Sequence, residues 1–104
     1  MAILLISRHP GAVEWLQQYA PFQPDAVYAH LSLNQVQAGD IVIGTLPIQT
    51  AAKIIEKGAQ YWHLSIELPQ NLRGRELSLA EMKQLPVQLD QFSITRVQSY
   101  CPTI

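Results

Sequence analysis

Two uninterrupted apolar runs stand out along the chain, and both have the length of a β-strand. The first extends from Ala2 to Ile6, and the second lies within residues 40–44. Runs without polar alternation are typical of strands that are covered on both faces in a parallel sheet. Each run gives way to a few further residues and then to Pro10 or Pro47, and proline suits the first turn of a helix. The pattern therefore predicts two buried strands that each lead into a helix.

Weaker patterns predict the elements up to residue 68. These are helices over 10–20 and 47–57, strands over 26–29 and 60–68, and a loop or short helical turn over 31–38. Gly58 should cap the second helix at its carboxyl end. The buried face of that helix is predicted to comprise Ile48, Ala51, Ala52 and Ile55.

The last third of the chain is less regular. Ser78 and Glu81 match a capping box, in which a hydroxyl and a carboxylate satisfy each other's backbone amides at the start of a helix. The apolar residues that would bury this helix are Leu79, Met82, Leu85 and Leu89. Pro86 limits its length, and a final strand is predicted over residues 92–100.

The order of these elements predicts one α/β domain over residues 1–104. Its core is a small Rossmann-like, mostly parallel sheet flanked by helices, with the two apolar runs as adjacent central strands. The strand order reverses between them. Ligands of such sheets bind at the carboxyl ends of the strands, at this switch point.

Composition and charge exclude several classes of protein. The chain has 104 residues, 48% of them hydrophobic, and a net charge of −1. It therefore lacks the basic surface needed to bind long DNA or RNA without sequence preference. The apolar start is too short for a membrane span and lacks the features of a signal peptide. The single Cys101 cannot form an internal disulfide, which fits a reducing compartment. We expect a cytoplasmic protein.

Candidate chemistry follows each of the two buried strands. The triplet Ser7-Arg8-His9 brings a hydroxyl, a permanent cation and an imidazole to the switch point, and Gly44-Thr45-Leu46 should face it. Thr45 is a plausible helix cap, and the amides after Gly44 together with the helix dipole would attract an anion. The structural alternatives are a tight strand–helix joint, a salt bridge from Arg8 to Glu67, and a helix-capping role for His9.

Later residues are expected to complete this site. Alternation along the strand 60–68 places Ser65 and Glu67 near its carboxyl end, where they could reach a ligand, and His63 reads as a structural residue. Arg73 and Arg75 flank a glycine and could close over a phosphate, or they could simply belong to a solvated loop. No nucleotide-binding glycine motif, zinc-ligand spacing or close acidic pair is present, so no metal or other cofactor is predicted.

Several segments together resemble a small family of single-domain proteins encoded beside type III CRISPR systems. They are residues 2–16, 29–31, 39–47, 63–65 and 73–78, which contain Ser-Arg-His-Pro-Gly and Gly-Thr-Leu-Pro. The resemblance implies a fold similar to the CRISPR-associated Rossmann (CARF-like) domains that sense cyclic oligoadenylates. It also implies a ring nuclease, which opens the cyclic messenger and ends the antiviral response. Cyclic tetra-adenylate is the ring expected as substrate.

The resemblance and the residues leave three hypotheses open. The first is metal-independent ring cleavage by a homodimer, with Ser7, Arg8 and His9 as catalytic residues. The second is a protein that sequesters the ring without cleaving it. The third is a nucleotide-binding or partner-binding domain unrelated to CRISPR.

Overall fold

A computed structural model describes residues 1–67, 70–74 and 78–102. In these residues five strands form one sheet in the order β2-β1-β3-β4-β5. The strands are β1 (Ile3–Ile6), β2 (Ala26–Tyr28), β3 (Ile41–Gly44), β4 (Gln60–Ile66) and β5 (Val87–Phe92). The first four are mutually parallel, and β5 runs antiparallel to β4. The predicted α/β class and mostly parallel sheet are confirmed, with β1 and β3 adjacent in the middle.

Helices cover both faces of this sheet. They are α1 (Pro10–Tyr19), α2 (Ile48–Glu56) and the single turn α3 (Leu79–Met82), with short 3-10 helices at Leu33–Gln35 and Gln70–Leu72. The side chains of β1 and β3 are divided between two cores. Leu4 and Val42 pack with Ala51 and Ile54 of α2, whereas Leu5 and Ile43 pack with Leu16 of α1. Burial on both faces explains why these two strands are continuously apolar.

The strand register aligns the carboxyl ends of the central strands. Ile6 lies opposite Tyr28 on one side and opposite Gly44 on the other. Gly44 lies opposite His63, so β4 continues for three residues beyond the end of β3. This projecting part of β4 forms a wall beside the turns that follow β1 and β3.

At the amino-terminal ends of the central strands, a buried carboxylate holds the chain in place. Asp40 accepts hydrogen bonds from the amides of Gln37, at 2.9 Å, and Ala2, at 3.0 Å. These two bonds, with that of Gln37 first, lower the pKa of Asp40 below its ordinary 3.8, although burial opposes them. Asp40 thereby joins the start of β1 to the loop that precedes β3.

One close contact between helices was not predicted. Gly11 of α1 lies against the start of α3, and a Cβ atom at Gly11 would be 2.4 Å from the carbonyl carbon of Ser78. The predicted capping box forms at the same place, because the Ser78 hydroxyl accepts from the Glu81 amide and the Glu81 carboxylate accepts from the Ser78 amide. A glycine in the first turn of α1 is thus required by the packing of α3.

Three sequence predictions were wrong in detail. Ile48 was expected in the buried face of α2 but is 71% exposed, because it lies at the exposed first position of the helix. Leu89 was assigned to the third helix but belongs to β5, because Pro86 ends the helical segment. The last strand was expected over 92–100 but begins at Val87, and residues 93–102 form no regular element.

The described residues contain no helix with both the length and the apolar character needed to cross a membrane.

Candidate active site

A cleft of about 270 Å³ opens between the turns that follow β1 and β3. Its polar side is formed by Ser7, Arg8, His9 and Thr45. Its remaining wall is formed by Ile6, Ala29, Gly44, Leu46, Leu64 and Ile66. The two predicted clusters, Ser7-Arg8-His9 and Gly44-Thr45-Leu46, therefore face each other across one cleft at the switch point, where ligands of such sheets bind.

The first turn presents its polar groups to the cleft. The Ser7 amide continues the sheet by donating to the carbonyl of Tyr28, at 2.9 Å. The Ser7 hydroxyl accepts from the amide of His9, at 3.1 Å, and this bond leaves the hydroxyl proton available for a ligand. Arg8, between them, is exposed. No ion pair joins Arg8 to Glu67 within the described residues, so the predicted structural role for this cation is not observed.

His9 starts α1 through its backbone. It is the N-cap residue, its carbonyl accepts from the amide of Ala12 at 3.0 Å, and its side chain makes no capping hydrogen bond. Pro10 follows at the first helical position, as predicted. His9 lines the cleft, and its side chain does not serve as a helix cap.

The second turn directs its polar groups into the protein. The Thr45 hydroxyl donates to the carbonyl of Leu64 in β4. The amide of Leu46 donates to the hydroxyl of Tyr61, at 3.0 Å. The N-cap of α2 is Pro47, so the prediction that Thr45 caps this helix was wrong. The Thr45 hydroxyl instead bonds the carbonyl of Leu64, which lies beside it because β4 extends past the end of β3. The Leu46 amide, which was expected to help bind an anion, is likewise already occupied.

Gly44 is needed where the two central strands end together. A Cβ atom at this position would lie 3.0 Å from the carbonyl oxygen of Ile6 and 3.3 Å from its Cβ atom. The close approach predicted for Gly44 is therefore made by the neighbouring strand β1. A larger residue would push the two sides of the cleft apart.

Buried Tyr61 and half-buried His63 form a pair behind the second turn, and sequence reasoning missed the role of Tyr61. The tyrosine is 1% exposed, and its hydroxyl lies 3.1 Å from the carbonyl of Gly44 and 2.6 Å from Nδ1 of His63. Burial raises the pKa of Tyr61 above its ordinary 10.0, although the hydrogen bond from Leu46 opposes this. Two features of the sequence could have indicated this role. Alternation along β4 placed Tyr61 and His63 on one face, and a buried tyrosine hydroxyl usually has a hydrogen-bond partner.

The later predicted residues do not line the cleft. Ser65 is half-buried in β4 and Glu67 is exposed after it, whereas the cleft wall contains Leu64 and Ile66. Strand alternation explains this, because consecutive side chains of β4 point to opposite faces of the sheet. Arg73 is exposed in the turn after the second 3-10 helix and is also absent from the lining. Arg75 lies outside the described residues.

The described residues bring together no group of three or more His, Cys, Asp or Glu side chains that could hold a metal ion. The polar chemistry that these residues bring to the cleft is therefore that of two hydroxyls, one guanidinium and one imidazole.

Comparison with known families identifies the wider group of proteins. A family model described as "Putative CRISPR-associated protein (Cas_VVA1548)" matches residues 4–95. The chain belongs to this family. No curated protein and no solved structure matches the chain. The part of the chain that matches Cas_VVA1548 includes both turns of the cleft, Tyr61, His63 and all of β5. The expected association with CRISPR is confirmed at the level of the family.

Proposed function

We propose that this protein is a ring nuclease, which binds and opens a cyclic oligoadenylate and thereby switches off type III CRISPR signalling. The observation that carries the proposal is the cleft at the switch point, where Arg8 is exposed beside Ser7, His9 and Thr45 in a chain of a CRISPR-associated family. A cyclic oligoadenylate is a small polyanion. A local cation and a few donors suit such a ligand, and they do so in a protein whose net charge is −1.

The proposed reaction uses the nucleophile that RNA carries. The ribose 2′-oxygen attacks the adjacent phosphorus, a 2′-O–P bond forms, and the P–O5′ bond breaks. The products are a linear chain ending in a 2′,3′-cyclic phosphate and a free 5′-hydroxyl. One proton leaves the 2′-hydroxyl and one reaches the departing 5′-oxygen. His9 is suited to transfer one of them, since an imidazole nitrogen can accept or donate a proton, and solvent water transfers the other. Arg8 stabilises the charge that develops on the phosphorane.

Hydrogen bonds already present distinguish the two hydroxyls. The Ser7 oxygen accepts from the His9 amide, so its proton is suited to donation to a phosphate oxygen. The Thr45 proton is donated to Leu64, so its oxygen can only accept. A 2′-hydroxyl can donate to such an oxygen, whereas a phosphate oxygen cannot. We therefore assign Ser7 to the phosphate and Thr45 to the orientation of the 2′-hydroxyl for in-line attack.

The size of the cleft favours a homodimer as the working unit. Its volume of about 270 Å³ is slightly below the usual range for a site that encloses one drug-sized ligand. A ring of four adenylates is much larger and has approximate two-fold symmetry. Two identical chains about a two-fold axis would offer the same cleft twice to matching halves of the ring. Each half would then cut one of two opposite phosphodiesters and release linear di-adenylate.

The dimer is tested by the mass of the protein in solution with one equivalent of cyclic tetra-adenylate. One chain has a mass of 11.7 kDa. Light scattering after size-exclusion chromatography should give a protein mass twice as large. A monomeric complex that cleaves the ring at the full rate would contradict the dimer. In that case one chain alone would have to enclose the ring.

The alternative is a binding protein that sequesters the ring without cutting it, because the same polar groups could bind a phosphodiester. Incubation with cyclic tri-, tetra- and hexa-adenylate, followed by chromatography of the products, separates the two. Cleavage with a preference for the ring of four supports the nuclease. Tight binding with every ring intact supports sequestration, and no binding of any ring excludes both.

A further inference from the structure

The buried hydroxyl of Tyr61 is the centre of a small hydrogen-bond network that ends at the wall of the cleft. It accepts from the amide of Leu46 and lies within hydrogen-bond distance of the Gly44 carbonyl and of Nδ1 of His63. Gly44 and Leu46 line the cleft, as does Thr45 between them, whose hydroxyl donates to the carbonyl of Leu64. One phenol oxygen therefore holds the residues on both sides of Thr45.

The network contains fewer protons than acceptors. Tyr61 has one hydroxyl proton, and both the Gly44 carbonyl and an unprotonated Nδ1 can accept it. When Nδ1 carries no proton, it competes with Gly44 for the proton of Tyr61. When Nδ1 carries a proton, it donates to the phenol oxygen, and the Tyr61 proton is directed to Gly44. The state of His63 thus decides whether Tyr61 bonds the turn through both of its neighbours or through the Leu46 amide alone.

The surroundings of His63 hold its ring in one place. It makes edge-to-face contacts with Tyr61, at 5.7 Å between ring centroids, and with Phe92, at 6.0 Å. Asp90 lies opposite His63 in the β4–β5 register, and opposite residues of an antiparallel pair are close neighbours. His63 does not line the cleft, and its contact with the Tyr61 hydroxyl links it to the turn 44–46.

We propose that Tyr61 is a positioning residue for the cleft, and that His63 acts through it by fixing the direction of the Tyr61 hydroxyl proton. Tyr61 touches no substrate. It sets where the turn 44–46 places the Thr45 oxygen, which the ring nuclease mechanism assigns to the 2′-hydroxyl. The inference rests on that proposed function, because its effect is expected in the cleavage step.

The test compares Tyr61→Phe, His63→Asn and the double variant with the unaltered protein. Phenylalanine keeps the buried ring and removes only the hydroxyl, and asparagine keeps a polar group near the position of Nδ1. Tyr100→Phe is the matched control, since Tyr100 is 88% exposed. Single-turnover rates are measured with saturating cyclic tetra-adenylate, at a temperature where circular dichroism shows every variant to be folded. A purely structural role would change the folded fraction and leave this rate unaltered.

Tyr61→Phe should lower the single-turnover rate about tenfold, the typical effect of losing one well-placed hydrogen bond. His63→Asn should lower it less, and should have no additional effect in the Tyr61→Phe background. A folded Tyr61→Phe variant that cleaves at the unaltered rate would overturn the inference, and additive effects would show that His63 acts independently. If Tyr61→Phe does not fold, His63→Asn alone decides, and an unaltered rate then counts against the proposal. Absence of cleavage by the unaltered protein would instead reject the ring nuclease itself.

Discussion

The two turns that enclose the cleft resemble each other in sequence and differ in what they offer a ligand. Each carries a buried parallel strand into a helix through a proline. In the turn after β1, Arg8 is exposed and the Ser7 hydroxyl keeps a proton to donate. In the turn after β3, the Thr45 hydroxyl and the Leu46 amide are both bonded to β4.

The difference arises from the neighbours of each strand. The turn after β3 lies beside β4, which projects three residues further and supplies a carbonyl and the Tyr61 hydroxyl. The first turn therefore supplies charge and protons, whereas the second supplies a fixed wall and one accepting oxygen. Similar strand-to-helix motifs can thus have unequal roles, which depend on which hydrogen bonds the fold has already formed.

The largest expected effect tests the first turn. Arg8→Ala should lower the cleavage rate about 100- to 1,000-fold, the range typical for loss of a group that stabilises transition-state charge. The melting temperature should not change, because Arg8 is exposed and makes no ion pair in the described residues. Single-turnover cleavage and thermal unfolding are measured together. The control is Arg96→Ala, which removes an arginine paired with Glu56 on the surface. Equal losses in both variants would contradict a special role for Arg8.

A change in the second turn should lower stability, and it should lower cleavage less than the loss of Arg8 does. Thr45→Val removes the hydroxyl and leaves the Leu64 carbonyl without this donor, which should lower the free energy of unfolding by about 1–2 kcal/mol. The cleavage rate should fall by about tenfold, because one hydrogen bond to the 2′-hydroxyl is lost. Chemical denaturation and single-turnover cleavage measure the two effects, and Thr45→Ser, which keeps the hydroxyl, is the control. A loss of cleavage as large as that of Arg8→Ala would remove the distinction between the two turns.

The smallest effect on stability is expected from Asp40, at the amino-terminal ends of β1 and β3. The pKa of Asp40 is lower in the folded chain than its ordinary 3.8. As the pH falls, the unfolded chain therefore binds a proton at this carboxylate before the folded chain does. Asp40 therefore stabilises the fold fully above about pH 4, and this contribution is lost as the pH falls through the lowered pKa. Asp40→Asn should flatten the dependence of unfolding free energy on pH below about pH 4 and leave cleavage unchanged. An unaltered pH dependence would contradict the role assigned to this carboxylate.

Most of the fold could be predicted because its determinants are local. Continuous apolar runs, prolines at helix starts and the Ser78–Glu81 capping box each depend on residues close together in the chain. The register of β4 against β3 and β5 depends on residues far apart, and this explains the errors at the third helix and the last strand. The same register directs Ser65 away from the cleft and brings Tyr61 to the second turn. The contact of Gly11 with Ser78 is likewise invisible until the helices are packed.

In the proposed reaction, the first turn supplies the charge and the RNA itself supplies the nucleophile. The most direct measurement is the mass of the products formed from cyclic tetra-adenylate in the presence of EDTA. The expected product is linear di-adenylate ending in a 2′,3′-cyclic phosphate, formed at the same rate with and without the chelator. Products ending in a 3′- or 5′-phosphate from the first bond cleavage, or cleavage that stops in EDTA and returns with a divalent ion, would contradict attack by the 2′-hydroxyl.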